Sequence, residues 1–161
     1  MRWHIVEGAA GCRFARRHGM AAVVVDALRA SATVAALLDA GARELLVVAE
    51  VEEALALKQT HRDALLYGER GGLPPAGFDY GNSPRAVSAA YGRPVIFTTT
   101  TGAQRLIEAY PQPGTLAEDA GVLLMGSTVN ASAVVRMIQA AGVGETVLIP
   151  AGLATDPSFP A

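Results

Sequence analysis

Short apolar runs alternate with helix-like segments along most of the chain. Several of these runs are continuously aliphatic, which is typical of strands that are buried on both faces of a sheet. The pattern predicts strands over 3–7, 22–25, 45–48, 64–67, 95–98, 122–125 and 147–149. Because helices are predicted between the strands, we expect a three-layer α/β/α sandwich with a mostly parallel or mixed sheet of about six strands.

Capping residues precede several of the predicted helices. The helices are expected over 31–40, 50–60, 83–92, 101–110 and 130–141. Ser31 is placed to cap the first of them. Ser83 followed by Pro84 is typical of a helix start, and Thr101 with Gln104 has the spacing of a capping box.

Length and composition favour a single soluble domain over residues 1–161, because 51% of the residues are hydrophobic and 17% are charged. The formal net charge of -2 argues against nucleic acid as a partner. No apolar run reaches the roughly 20 residues of a membrane span. The single cysteine, Cys12, and the absence of a signal-peptide pattern favour a cytoplasmic location.

Polar side chains follow four of the predicted strands. Ligands of open α/β sheets bind beyond the carboxyl ends of the strands, so these residues are the candidate site. They are Asp26 and Arg29, Glu69 and Arg70, Thr98, Thr99 and Thr100, and Ser127 and Asn130. The opposite strand ends carry mostly plain glycine-containing turns, and this asymmetry favours a functional rim.

The long connection over 68–84 belongs to the same rim. Loops of this length in a compact domain are mostly functional or disordered. Leu73, Phe78 and Tyr80 provide apolar anchors that argue against disorder. We therefore interpret the connection as a binding loop, with Asn82 among its candidate ligand contacts.

The residue types at this rim suit an anion and a hard cation. Asp26 and Glu69 are candidate Mg²⁺ ligands, while Arg29 and Arg70 are candidate anion clamps. Simpler interpretations stay open, because Asp26 could cap a helix and Glu69 with Arg70 could form a surface ion pair. The threonine run could reflect strand propensity alone, and Ser127 and Asn130 could be ordinary caps.

Five ordered blocks resemble the 2-phosphosulfolactate phosphatase family. They read DALRAS at 26–31, GERGG at 68–72, GNSP at 81–84, TTTTG at 98–102 and GSTVNA at 126–131. The resemblance implies a Mg²⁺-dependent enzyme that hydrolyses 2-phospho-3-sulfolactate to 3-sulfolactate and phosphate, a step towards coenzyme M. Nucleotide-binding glycine motifs and zinc-type spacings do not occur in the sequence.

The resemblance also implies roles for individual residues. Asp26 and Glu69 would be catalytic and would bind the metal. The other candidates would bind a small phosphorylated or sulfonated acid: Arg29, Arg70, Asn82, Thr98, Thr99, Thr100, Ser127 and Asn130. The attacking group is left open between a metal-activated water and a carboxylate.

The sequence departs from the family pattern in its threonine loop and in its length. Thr101 and Ala103 stand where the family usually has an asparagine and a small hydroxyl residue. The family also continues well past the last predicted strand, so we expect its C-terminal region to be missing here. The alternative is therefore that the chain is a shortened, non-catalytic relative, which binds a small anion or a protein partner. In either case we expect the protein to form a homo-oligomer.

Overall fold

A computed structural model describes residues 1–110 and 121–152 of the chain. In this part, every strand belongs to one of two parallel four-stranded sheets. The strands are β1 (Arg2–Ile5), β2 (Ala21–Val25), β3 (Glu44–Val47), β4 (Leu65–Gly68), β5 (Tyr80–Gly81), β6 (Pro94–Thr98), β7 (Leu123–Gly126) and β8 (Glu145–Pro150). The helices are α1 (Gly8–His18), α2 (Ala30–Asp39), α3 (Val51–Thr60), α4 (Gly102–Ala109) and α5 (Ala131–Ala140).

The first sheet has the strand order β1-β8-β2-β7. Val147 and Ile149 of its strand β8 pack against Cys12 of α1 on one face. On the other face, Val23 packs against Ile138 of α5. The carboxyl ends of three strands are level, because the last residue of β2 pairs with the ends of both β7 and β8.

The second sheet has the order β3-β6-β4-β5, and its two central strands are buried along their whole length. Leu66 and Ile96 pack against α3 on one face. Tyr67 and Phe97 pack against Leu37 of α2 on the other. Both faces of this sheet are therefore covered, as parallel strands require.

Helices α2 and α4 lie between the two sheets. Helix α4 contacts β2 and β7 of the first sheet and β6 of the second. The helix α2 packs on the second sheet and also contacts β7, where Met125 joins the same apolar cluster. This shared layer brings the carboxyl ends of both sheets to one edge of the molecule.

The predicted α/β class is confirmed, and parallel pairing accounts for every strand pair in the described part. The strand count differs, because residues 1–110 and 121–152 form eight strands in two sheets where the sequence predicted one sheet of about six. The strand β5, two residues long, was missed because the binding loop reads as irregular along its whole length.

The helix predicted over 83–92 is wrong. Its residues form turns and a single 3₁₀ segment, Ser88–Ala90. The hydroxyl of Tyr67 donates a 2.6 Å hydrogen bond to the carbonyl of Ala86, and the N–H of Ala90 bonds to Val87 instead. Since Ala90 is also buried in the core, tertiary packing overrides the local helix signal.

Two of the predicted caps are wrong as well. Ser31 lies inside α2, where its hydroxyl accepts from the N–H of Asp26. Thr101 precedes α4 but makes no capping bond with its side chain. Instead, the hydroxyl of Thr99 accepts the N–H of Ala103 at 3.0 Å and so satisfies a different N–H in the first turn of α4.

The described helices are all too short, or too polar, to cross a bilayer. The single thiol, Cys12, is buried between α1 and the first sheet. Burial raises the pKa of this thiol above its ordinary value, which disfavours the reactive thiolate form.

Candidate active site

The candidate site lies where the carboxyl ends of the two sheets meet. Asp26 follows β2 of the first sheet, and Glu69 follows β4 of the second. Although the two strands are in different sheets, the two carboxyl groups interact electrostatically. Parallel strands direct their carboxyl ends to one edge, and the shared helical layer aligns the two edges.

Asp26 sits at the amino end of α2 with its carboxyl partly buried. Burial raises the pKa of Asp26 above its usual range. The N–H of Ala30 lowers it in part, while the negative charge of Glu69 raises it further. The hydroxyl of Thr101 also acts on this carboxyl and lowers its pKa, which explains why Thr101 does not cap α4.

Glu69 is held by the backbone on both of its carboxylate oxygens. One oxygen accepts the N–H of Thr100 at 2.8 Å, and the other accepts the N–H of Gly72 at 2.9 Å. Burial alone would raise the pKa of Glu69, but these two N–H groups and the charge of Arg70 outweigh it and hold the pKa below its usual range. Glu69 is therefore a fixed anion at neutral pH.

Gly102 is a site residue that sequence reasoning missed as an individual position. A β-carbon placed there would lie 2.7 Å from a carboxylate oxygen of Asp26 and 2.6 Å from the β-carbon of Ala30. Only a glycine lets the start of α4 approach the start of α2 so closely. Its signal in the sequence was the glycine that ends the threonine run.

Arg70 ties three strand ends together. Its guanidinium donates to the carbonyl of Ala49 at 2.6 Å, to the hydroxyl of Thr98 at 3.0 Å and to the carbonyl of Glu69 at 2.8 Å. These bonds favour a positioning role for Arg70. Its predicted contact with an anion stays a prediction.

Arg29 is placed differently from Arg70. It stands directly before α2, and its guanidinium makes one 3.3 Å bond, to the carbonyl of Gly72, among the described residues. The side chain of Arg29 thus links the loop that carries Asp26 to the loop that carries Glu69. Only one N–H of its guanidinium makes this link among the described residues, so most of its donors are available to an anion.

The three threonines that follow the core of β6 have separate tasks. Thr98 is fully buried and donates to the carbonyl of Ala49 at 3.0 Å. Thr99 is buried and bonds to the N–H of Ala103. Thr100 contacts a candidate catalytic residue directly, because its backbone N–H donates to the carboxylate of Glu69.

Asn82 lies level with Glu69, since Gly81 pairs with Gly68 in the second sheet. Its side chain is 4% exposed, and within residues 1–110 and 121–152 its Oδ1 atom is buried without a hydrogen-bond partner. Buried polar atoms are nearly always paired. The unpaired amide is therefore the kind of group that a bound ligand or water satisfies.

Ser127 and Asn130 form a closed turn after β7. The amide oxygen of Asn130 accepts the N–H of Ser127 at 2.8 Å, and its amide nitrogen donates to the carbonyl of Met125 at 3.0 Å. These bonds shape the turn that leads into α5. Their predicted contact with an anion stays a prediction, although the register places the turn beside Asp26.

The metal-ligating capacity of the site resides in Asp26 and Glu69. The described part of the chain contains no group of three or more histidine, cysteine or acidic side chains that could surround a metal. Mg²⁺ is often held by one or two carboxylates, with waters and substrate phosphate completing the octahedron. A pair of partly buried carboxylates that repel each other fits such an ion.

Comparison with known proteins points to a single family. A family model described as 2-phosphosulpholactate phosphatase matches residues 11–159. A protein of Deinococcus radiodurans named probable 2-phosphosulfolactate phosphatase is 44% identical over 133 residues, which is 81% of this chain and 52% of that protein.

Two further relatives carry the same name. The protein of Carboxydothermus hydrogenoformans is 40% identical over 139 residues, covering 86% of this chain and 54% of the relative. The protein of Thermus thermophilus is 39% identical over 132 residues, covering 81% and 52%. The chain spans about half the length of the curated relatives it matches.

Proposed function

The chain belongs to the 2-phosphosulpholactate phosphatase family, and we propose that it hydrolyses a small anionic phosphate monoester with the help of Mg²⁺. The first candidate substrate is 2-phospho-3-sulfolactate, which would give 3-sulfolactate and phosphate. One observation carries the proposal: two carboxylates from different sheets reach the same loop, where Glu69 accepts the N–H of Thr100 and an oxygen of Asp26 lies against Gly102.

Asp26 and Glu69 would hold the metal in this proposal. When bound, Mg²⁺ would neutralise charge on the phosphoryl group and lower the pKa of a coordinated water. Glu69 suits a permanent anionic ligand, because two backbone N–H groups stabilise its ionised form. Asp26 would be the second ligand, because burial makes its ionised form unfavourable and the positive charge of the ion would offset that cost.

The anion would bind between the Asp26 and Glu69 loops. Arg29 would contact the phosphate or the second acid group of the substrate, because it stands beside Gly72 with donors to spare. The N–H groups at the start of α2 add positive potential there. The buried amide of Asn82, level with Glu69, would accept a hydrogen bond from the substrate or from a bound water.

Phosphate release measures the proposed reaction directly. Purified protein is incubated with 2-phospho-3-sulfolactate and a panel of small phosphate monoesters, with Mg²⁺ or with EDTA. We expect phosphate release that requires Mg²⁺ and that falls at least a hundredfold in Glu69→Gln. The exposed acid Glu52 supplies the matched control, since Glu52→Gln should leave the rate unchanged. If the protein released phosphate from none of the esters, the proposal would be contradicted.

A non-catalytic relative is the second candidate, and it is favoured by Thr101 and Ala103, which stand where the family usually has an asparagine and a small hydroxyl residue. Such a protein would bind phosphate or sulfolactate at the same rim without breaking the ester bond. Calorimetric titration with sulfolactate separates the two candidates, because binding without any phosphate release supports the second one. The cytoplasmic location, the homo-oligomer and the link to coenzyme M stay predictions.

A further inference from the structure

Buried polar atoms without a hydrogen-bond partner are rare in the described part of the chain, and two of them adjoin Glu69. The buried side-chain oxygens that lack a partner there belong to Thr33, Asn82, Thr100 and Thr146. The N–H of Thr100 donates to Glu69, and Asn82 lies level with Glu69 across the strand pair. Because leaving a buried acceptor unpaired is costly, these two residues indicate that a bound group completes the site.

The side chain of Asn82 lies on the same face of the second sheet as that of Glu69. Side chains alternate along a strand, and the rings of Tyr67 and Tyr80 are stacked on one face with their centres 4.7 Å apart. Both rings join the apolar cluster that α2 forms on this face. Glu69 and Asn82 each come two positions after one of the tyrosines, so they point to the side of α2. Asp26 stands just ahead of α2, on that same side.

The two carboxylates have no cationic side chain as a partner in residues 1–110 and 121–152. Neither Asp26 nor Glu69 takes part in a salt bridge there. The nearby Arg29 and Arg70 direct their guanidinium groups to carbonyl and hydroxyl oxygens instead. Since buried charges are normally paired or bound to a metal, this arrangement favours a cation between the two acids.

The chemistry of the unpaired oxygen decides what can bind to it. The Oδ1 atom of Asn82 is a hydrogen-bond acceptor, and ionised phosphate, sulfonate and carboxylate groups present acceptors as well. The group that completes Asn82 is therefore a cation or a donor such as water. Two carboxylates on the same side favour the cation, because hard divalent cations take carboxylate and amide oxygens as ligands.

We propose that Asn82 supplies, through Oδ1, a third oxygen ligand to the divalent cation that Asp26 and Glu69 hold. Asn82 thereby binds the metal and does not contact the anionic substrate. The inference rests on the metal site of the proposed function, but it does not depend on which ester is hydrolysed or on whether hydrolysis occurs.

Binding of Mn²⁺ tests the proposal without any measurement of activity. Mn²⁺ takes the same oxygen ligands as Mg²⁺, and electron paramagnetic resonance (EPR) measures how much of it is bound. We expect Asn82→Ala to weaken Mn²⁺ binding roughly tenfold or more. Asn82→Asp keeps an oxygen at the position of Oδ1 and adds negative charge, so it should bind Mn²⁺ at least as tightly as the wild type.

Thr146 supplies the matched control. Its hydroxyl is also buried and unpaired among the described residues, but it lies near the amino end of β8, away from the candidate site. Thr146→Val should leave the affinity for Mn²⁺ unchanged. Asn82→Asp is nearly isosteric and decides the matter even if Asn82→Ala does not fold, because weaker Mn²⁺ binding by Asn82→Asp would overturn the proposal.

EPR spectra in H₂¹⁷O distinguish direct ligation from contact through a water, because each water bound to Mn²⁺ broadens the lines. The wild type and Asn82→Asp should have the same number of bound waters, and Asn82→Ala should have one more. An unchanged number in Asn82→Ala would overturn the proposal, since Asn82 would then contact a water and not the ion.

The same titrations separate this inference from the proposed function. If Glu69→Gln weakened Mn²⁺ binding and Asn82→Ala did not, the metal site would stand and the role of Asn82 would be refuted. If the wild type bound no Mn²⁺, both would fall. If the Asn82 variants behaved as expected in a protein that hydrolysed no ester, the inference would hold and the phosphatase proposal would fail.

Discussion

The two carboxylates of the candidate site have opposite surroundings. Glu69 receives a backbone N–H on each oxygen and is held in its ionised form. Asp26 is pressed against Gly102 and Ala30, and burial raises its pKa. The second sheet thus supplies a stable anion, while the first supplies an acid whose charge costs stability. Pairs of acids with pKa values driven apart are typical of acid–base sites.

The substitution Gly102→Ala should disturb the surroundings of Asp26 most strongly. The new β-carbon would overlap both the Asp26 carboxylate and Ala30, so one of the two helices must move. We expect a loss of about 1–3 kcal/mol in the free energy of unfolding. Activity should fall by roughly a hundredfold, as for a displacement of about 1 Å at a catalytic group.

Chemical denaturation and phosphate release measure these two effects. Gly144→Ala is the control, because a β-carbon at Gly144 meets nothing within 4 Å. Wild-type behaviour of Gly102→Ala would mean that the close approach of α2 and α4 is not needed.

The Glu69 side is tested by Glu69→Gln. The substituted amide has one donor where Glu69 had an acceptor, so an N–H of Thr100 or Gly72 loses its partner. We expect about 1–3 kcal/mol of lost stability, together with at least tenfold weaker binding of Mg²⁺. Thermal melts and Mg²⁺ titrations check both, and unaltered Mg²⁺ affinity would remove Glu69 from the metal site.

The smallest expected effect has the opposite sign. Asp26→Asn removes a buried charge whose folded-state pKa lies above the unfolded value. Such a charge destabilises the fold above that pKa and has no effect well below the unfolded value. We expect Asp26→Asn to raise the melting temperature at pH 7, with a gain that vanishes as the pH falls through the carboxyl range. Melts from pH 3 to pH 7 measure it.

The stability of Glu69 depends on pH in the reverse sense. Its folded-state pKa is lowered, so its contribution is present above the unfolded pKa and is lost as the pH falls through the folded value. A melting temperature that moves in the same direction for Asp26→Asn and Glu69→Gln would refute the contrast between the two acids.

Local patterns predicted most elements because buried parallel strands read as continuous apolar runs. The strand expected over 95–98 is Pro94–Thr98 in the structure. The division into two sheets was not predictable, since strand order depends on contacts distant in sequence. The turn structure of 83–92 was missed for the same reason: the hydroxyl that occupies the carbonyl of Ala86 comes from Tyr67.

The sequence predicted which edge of the molecule carries the candidate site better than it predicted the contacts of the individual side chains. Parallel strands predicted that Asp26 and Glu69 lie on the same edge, and in the structure both carboxylates lie against the loop at 100–102. The inward bonds of Arg70 depend on Ala49 and Thr98, which no local motif connects to it. The role of Gly102 depends on how closely α2 approaches α4, which is a property of the packed layers.

The order of strands in the first sheet also determines when that sheet can form while the chain is being synthesised. β8 lies between β1 and β2 and pairs with both, although more than 100 residues separate it from either in sequence. The first two strands therefore leave the ribosome without their common neighbour. They must wait until Pro150 has emerged before the sheet can close. The second sheet needs nothing beyond Thr98 to complete its pairing, so it can form first and present α2 as the surface on which the first sheet assembles.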